Sequence, residues 1–395
     1  MLCDHIMRRF NKSVDYQLEK PDREWAEAVF EQLSAKIKAE CNRLGSSIPY
    51  ISRNGRYRDL DSPEGIYWWT NGFWPGMLWQ MYHAAGDALY RKTAEAIEKR
   101  LDEALEGFEG LHHDVGFMWL HTAVADYRLS GSLDSRRRAL HAANILAGRY
   151  NPAGKFIRAW GDGADAHNRA GWIIIDTLMN LPLLYWASGE TGDPRYAHIA
   201  QSHADTALHM LARPDGSCNH IAVLSPDTGL LLETPGGQGY APGSAWSRGQ
   251  SWAVYGFALS FRHTGLERYL AAAKRTAHYV ISNFAHNGWL PLVDFRAPPG
   301  PVYDSTAAMI SACGLLEIAE HAGGYEQSLY TGCAVNILRS CEKTFANWNN
   351  DADGIIGGGT AAWGNPEDTA VPIIYGDYFF TEAILRLLGK VFPIW

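Results

Sequence analysis

The chain has 395 residues, of which 47% are hydrophobic and 20% charged, and carries a formal net charge of -8. That balance describes a globular protein, argues against nucleic acid as a partner, and offers no stretch with the length and polarity of a membrane span. Six cysteines, Cys3, Cys41, Cys218, Cys313, Cys333 and Cys341, form no CxxC pair, and the start "MLCDHIMRRFNKSVDY" has no apolar leader core, so reduced thiols and a cytoplasmic location are expected.

A short extension, residues 1–20, precedes the first clear helix, "PDREWAEAVFEQLSAKIKAEC". There Trp25, Val29, Leu33, Ile37 and Cys41 recur every four residues and give one apolar face. A loose repeat follows. A nearly uncharged helix ends at a glycine-bearing turn, and a charged amphipathic helix comes next. The turns fall at Gly86, Gly131, Gly189, Gly265, Gly323 and Gly389, where glycine suits the position after a helix. Stretches such as "GQSWAVYGFALSF" and "STAAMISACGLL" are apolar on most faces and are expected to be buried on most faces. Stretches such as "RYLAAAKRTAHYVISNF" carry charge on one side only. The pattern predicts an all-α fold, an (α/α)6 barrel of six hairpins, with the 22–43 helix pairing with the last inner one. Strand signals are confined to "HIAVL" and "GLLLE". No linker or composition shift marks a boundary, so residues 1–395 are expected to form a single domain.

Unusual polar residues gather at the starts of the inner helices. Trp69 and Asn71 stand before the first, His113 and Asp114 before the second, and Asp176 early in the third. Arg248 and Gln250 open the fourth, Asp304 the fifth and Asp377 the sixth. Asp304 and Asp377 read as helix N-caps, a common use of aspartate. Asp176 is different. It lies in "GWIIIDTLMNLPLLYWA", read as an apolar helical stretch without Lys or Arg. A carboxyl there either holds a proton or does chemistry. Arg248 reads equally as an anion contact or as a structural bridge to an acid. "HHD" has no matching metal-ligand spacing elsewhere and no HExxH occurs, so no metal is expected. "PGGQGYAPG" and "GIIGGGT" lack the GK[ST] of a phosphate loop, and no GxSxG elbow occurs. Two carboxylates at one mouth, among 15 Trp and 19 Tyr, point to glycoside chemistry.

The stretches "WTNGFWPGMLW", "LHHDVGFMWL", "IRAWG", "IIIDTLMNLPLLYWA", "QGYAPGSAWSRGQSWAVYGFAL", "DSTAAMIS" and "YGDYFFTEAILRLL" run in this order from residue 69 to 388. As a set they resemble the unsaturated glucuronyl hydrolases of glycoside hydrolase family 88. The resemblance implies an (α/α)6 barrel. It also implies removal of a terminal 4,5-unsaturated uronic acid from oligosaccharides made by polysaccharide lyases, without a cofactor. The family's catalytic aspartates fall on Asp176 and Asp114. Its substrate contacts fall on Trp69, His113, Trp160, His220, Gln238, Arg248 and Trp252. The implied reaction is hydration of the C4=C5 enol ether, with Asp176 as acid and then base, and Asp114 raising its pKa. Two departures stand out. Gly237 precedes the glutamine where several members have His, and "GGTAAWGNPEDTAVPI" has no Lys where members that accept sulfated substrates carry one. Three other readings stay open: an unsaturated rhamnogalacturonyl hydrolase of the same barrel type, an inverting glycosidase on saturated chains, and a non-catalytic sugar-binding toroid. The expected partner is an unsaturated oligosaccharide, with neither nucleic acid nor membrane, and a monomer or homodimer fits equally well.

Overall fold

The computed structural model describes residues 15–161, 168–298, 300 and 302–395. Cys3, most of the N-terminal extension and six residues of the loop "FIRAWGDGADAHNRAGW" lie outside them. The chain is mainly helical, as α1 (Lys20–Leu44), α2 (Phe73–Ala85), α3 (Ala88–Gly107), α4 (Val115–Trp119), α5 (Ala125–Ser130) and α6 (Leu133–Gly148). It continues as α7 (Thr177–Thr191), α8 (Pro194–Met210), α9 (Ser247–Thr264), α10 (Glu267–His286), α11 (Ser305–Glu320), α12 (Tyr325–Phe345) and α13 (Ile374–Leu387). A π-helical turn, Leu120–Val124, joins α4 to α5 into one interrupted helix.

The inner ring is α2, α4–α5, α7, α9, α11 and α13. Each packs against the next, and α13 closes on α2. The outer helices α3, α6, α8, α10 and α12 back their inner partners, and α1 backs α13, as the pairing of the 22–43 segment predicts. Charge patterning explains the two layers. Every residue of α9 from Ser247 to His263 is buried, whereas α10 buries only the stripe of Tyr269, Leu270, Ala273, Ala277, Val280 and Phe284 among others. The result is the expected (α/α)6 barrel.

Two local expectations are corrected. The left-handed cap after α7 is Gly192 (φ 73°), while Gly189 lies inside the helix, and α11 ends on His321 rather than on Gly323. The opening of the apolar stretch is not helical either. Trp172–Ile174 forms a strand, β3, which pairs antiparallel with β4 (Ile221–Leu224) and through it with β5 (Leu231–Glu233). β-Branched Ile173 and Ile174 suit a strand, and the helix starts only at Thr177. A separate hairpin joins β1 (Tyr150–Asn151) to β2 (Phe156–Ile157).

Close approach of the inner helices rests on glycine at two points over α7. A Cβ on Gly116 would lie 2.5 Å from Asn180 Cα, and one on Gly256 would lie 2.4 Å from Leu178 Cβ. The first contact sets the distance between α4 and α7, hence between the residues that precede them. Gly116→Ala is therefore expected to destabilise the fold by about 1–3 kcal/mol, as overpacking does. It should also lower kcat more than it raises KM. A denaturant midpoint and a kinetic assay check this; an unchanged midpoint would show that α7 moves aside freely.

Candidate active site

Asp114 and Asp176 hold the N-cap positions of α4 and α7, yet neither side chain caps its own helix. Their carboxylates turn to other partners instead. Asp114 Oδ2 lies 3.1 Å from His112 Nδ1 and 3.2 Å from His113 Nε2, and Asp114 Oδ1 accepts from Asn180 Nδ2 at 3.1 Å. Asn180 also accepts from the Phe117 N–H at 2.8 Å and reaches the Asp176 carbonyl at 3.3 Å. Thus one amide in the first turns of α7 spans both carboxylate-bearing segments. His113 Nδ1 meets Thr177 Oγ1 at 2.6 Å and stands 3.8 Å from Asp176 Oδ1. Asp176 Oδ1 has no hydrogen-bond partner among the described residues, and 18% of that side chain remains open to solvent.

The electrostatics separate the two acids. Burial pushes Asp176 well above the usual carboxylate range, and the neighbouring Asp114 charge pushes it further. His112 and Arg248 oppose this without offsetting it. Burial would raise Asp114 too, but the adjoining histidines outweigh it and hold that carboxyl well below its ordinary value. Burial keeps His113 neutral, so the cation beside Asp114 is His112. Burial works against a charge on His112 as well, yet the nearby Asp114 and Glu64 carboxylates prevail and its pKa is raised to about 9. The surroundings thus favour the proton on Asp176, the ionised form of Asp114 and the cationic form of His112. Ligand atoms of His112, His113 and Asp114 lie within 4.8 Å of one another. Both imidazoles lie within 3.2 Å of the same carboxylate oxygen, though His113 Nε2 completes no hydrogen bond among the described residues.

The other sequence-derived residues fall into two groups. Trp69 is half-buried in a 3-10 turn, 4.9 Å from Tyr375 between ring centres. Trp160 is half-buried on the wall of a cleft of about 580 Å³, with Tyr67, His112 and Arg149 also on the wall. His220 is buried and its Nδ1 accepts from the Gln238 N–H at 3.0 Å, which fixes the ring proton on Nε2. Burial, reinforced by Arg248, lowers its pKa to about 3, and Nε2 has no partner among the described residues. Gln238 is half-buried, with its side-chain nitrogen 2.7 Å from the Ala361 carbonyl.

Arg248 and Trp252 are enclosed. Arg248 is 1% exposed and donates to Asp304 Oδ2 at 2.5 Å and to the Thr360 carbonyl at 2.7 Å, and it also donates to the Ala361 carbonyl. It takes the bridging alternative, tying α9 to α11 and to the loop before α13. Trp252 is 1% exposed, with Phe117, Trp69 and Phe379 around it at 5.2–6.4 Å between ring centres. From there it supports Trp69 rather than presenting a face of its own. Asp304 caps α11 as expected, through the Thr306 N–H at 3.1 Å. Asp377 is not an N-cap: it sits inside the first turn of α13 and accepts from the Ile355 and Ile356 N–H groups and from Tyr57.

A model of Glycosyl Hydrolase Family 88 matches residues 46–287. The chain is 35% identical over 381 residues to the unsaturated glucuronyl hydrolase of Bacillus sp. (strain GL1), which covers 94% of this chain and 98% of that one. The crystal structure of the Bacillus sp. GL1 enzyme, described as responsible for the degradation of glycosaminoglycan, matches with a TM-score of 0.85 at 34% identity. That match covers 92% of this chain and 96% of the other. The unsaturated chondroitin disaccharide hydrolase of Streptococcus pneumoniae is 34% identical over 342 residues, or 84% of this chain and 83% of its own. A Streptococcus agalactiae unsaturated glucuronyl hydrolase variant complexed with dGlcA-GalNAc6S matches with a TM-score of 0.80 at 25% identity, over 98% of this chain and 96% of that one. The non-catalytic toroid and the other glycosidase readings fall away with these matches, and the chain belongs to glycoside hydrolase family 88, among the unsaturated glucuronyl hydrolases.

Proposed function

We propose that the chain removes a terminal 4,5-unsaturated uronic acid from lyase-generated disaccharides by hydrating the C4=C5 bond. The observation that carries this reading is a pair of carboxyls joined through His113, with Asp176 in surroundings that favour its protonated form and Asp114 in surroundings that favour its ionised form. The C4=C5 bond of the sugar is an enol ether. Asp176 gives its proton to C4, and the positive charge that develops at C5 is shared with the ring oxygen. The Asp176 carboxylate then takes a proton from water as that water adds to C5. The product is a hemiketal at C5. It opens to a ketone, which leaves C1 carrying both a hydroxyl and the aglycone oxygen, and the aglycone departs. The acid, the base and water are all that the sequence of steps requires.

Asp114 has two parts in this scheme. Its charge keeps Asp176 protonated, and its oxygens accept from sugar hydroxyls. His220 offers its Nε2–H to the same sugar. Trp69 and Trp160 supply stacking faces, with Trp252 beneath the first. Gln238 and Arg248 hold the loop near Ala361 against the site. A glycosaminoglycan disaccharide is the favoured substrate class, in line with the names of the chain's relatives. A cytoplasmic site of action belongs to this reading; the five described cysteines are free and buried.

The pH-rate profile tests it. Asp176 must start protonated, so turnover falls as pH rises through its raised pKa. Asp114 must be ionised as well, and because its pKa is held well below the usual carboxylate range the acid limb lies at lower pH than an ordinary carboxylate would give. The expected optimum is mildly acidic to neutral. A rate still rising above pH ~8 would contradict a carboxylic acid as the proton donor.

A further inference from the structure

His112 was not among the residues singled out from the sequence, yet it connects two parts of the site. It lies in the loop between α3 and α4, with 13% of its side chain exposed. One ring nitrogen, Nδ1, is 3.1 Å from Asp114 Oδ2; the other, Nε2, is 3.6 Å from Glu64 Oε2. Both Glu64 and His112 line the 580 Å³ cleft that also holds Trp160. A sugar following the unsaturated residue into that cleft would lie against the same imidazole that clamps Asp114.

We propose that His112, bridged between Glu64 and Asp114, is a positioning residue for the hydration step and part of the wall that receives the aglycone. It fixes the Asp114 carboxylate from the side opposite Asn180 and sets how strongly that charge acts on Asp176. The inference rests on the proposed function. Among the described residues, the charged and titratable groups around the His112–Asp114 pair include Glu64 before α2, His113 in the same loop, Arg149 after α6, Asp176 before α7 and Arg248 in α9, with Glu109 and Arg169 on the same cleft wall. Among these, His112 is the cation in direct contact with Asp114.

The test is a pH-rate profile on an unsaturated disaccharide for the unaltered enzyme, His112→Asn and Glu64→Gln. Asn keeps an N–H near Nδ1 but no charge. Without the cation both acids hold their protons more firmly, so both limbs of the profile should move to higher pH, by about half a unit or more. The value of kcat at pH ~6 should fall about tenfold while KM changes less. Glu64→Gln, at a more exposed position, should move the limbs by less than His112→Asn. Profiles lowered in height with both limbs unmoved in the two variants would overturn the proposal and leave His112 a structural residue. Absence of turnover by the unaltered enzyme on every unsaturated disaccharide would overturn the functional reading itself.

Discussion

Asp176→Asn is expected to lower kcat by about 10³-fold or more, at the upper range of what one proton-transfer group contributes. The amide has the carboxyl's shape but no proton acidic enough for carbon and no capacity to activate water. Both halves of the reaction fail together. KM should change little, because the side chain makes no hydrogen bond through Oδ1 that an amide would abolish. The fold should be retained, since a partly enclosed carboxyl is exchanged for a neutral group of equal size. Steady-state assays on an unsaturated disaccharide check this, with a thermal scan as control. Activity above about a tenth of the unaltered enzyme's would remove Asp176 from the role of acid.

Asp114→Asn should cost about 10²-fold in kcat at neutral pH, and acid should restore part of the loss. The sign follows from the neighbouring charges. Asp114 raises the pKa of Asp176, whereas His112 and Arg248 lower it. With Asp114 neutralised, burial still holds Asp176 up, but Arg248, and His112 so far as Glu64 keeps it charged, now act against it unopposed. Asp176 therefore loses its proton at lower pH, and a larger share of the enzyme is inactive at pH 7. The alkaline limb moves toward acid, opposite to the shift expected for His112→Asn. KM should rise as well, since a sugar-facing acceptor is weakened. An Asp114→Asn profile that keeps the original alkaline limb would show that this carboxylate does not set the protonation of Asp176.

Much of the ring could be read from charge alone. Helices such as α9 and α11 carry almost no charge because nearly all their faces are buried, and α10 carries charge on one side because only a stripe is. The pairing of the first helix with the last inner one followed from counting hairpins. β3 was obscured because an Ile-rich run continuing into a helix has no period of its own. Gly189 and Gly192 are three residues apart, and spacing alone does not tell which takes the left-handed turn. Asp114 and Asp176 were legible because each sits in an apolar run. His112, Thr177 and Asn180 were not, since polar residues next to a helix start are ordinary caps and turns. Asn180 acts through contacts with Phe117 and Asp114 more than sixty residues away, which sequence spacing does not report. Arg248 stood out by its place at a helix start and Trp252 through the family resemblance; their enclosure came only with the ring assembled.

Following the conjugated alkene and the free aglycone in one reaction tests the central claim most directly. Ultraviolet absorbance reports the C4=C5 bond, and a reducing-end assay reports the released sugar. Hydration at C5 predicts that absorbance falls no later than aglycone is released, at a rate abolished by Asp176→Asn, while the saturated uronide is left intact. Release of aglycone ahead of the absorbance loss, or cleavage of the saturated uronide, would mean direct attack at C1 and would contradict the account.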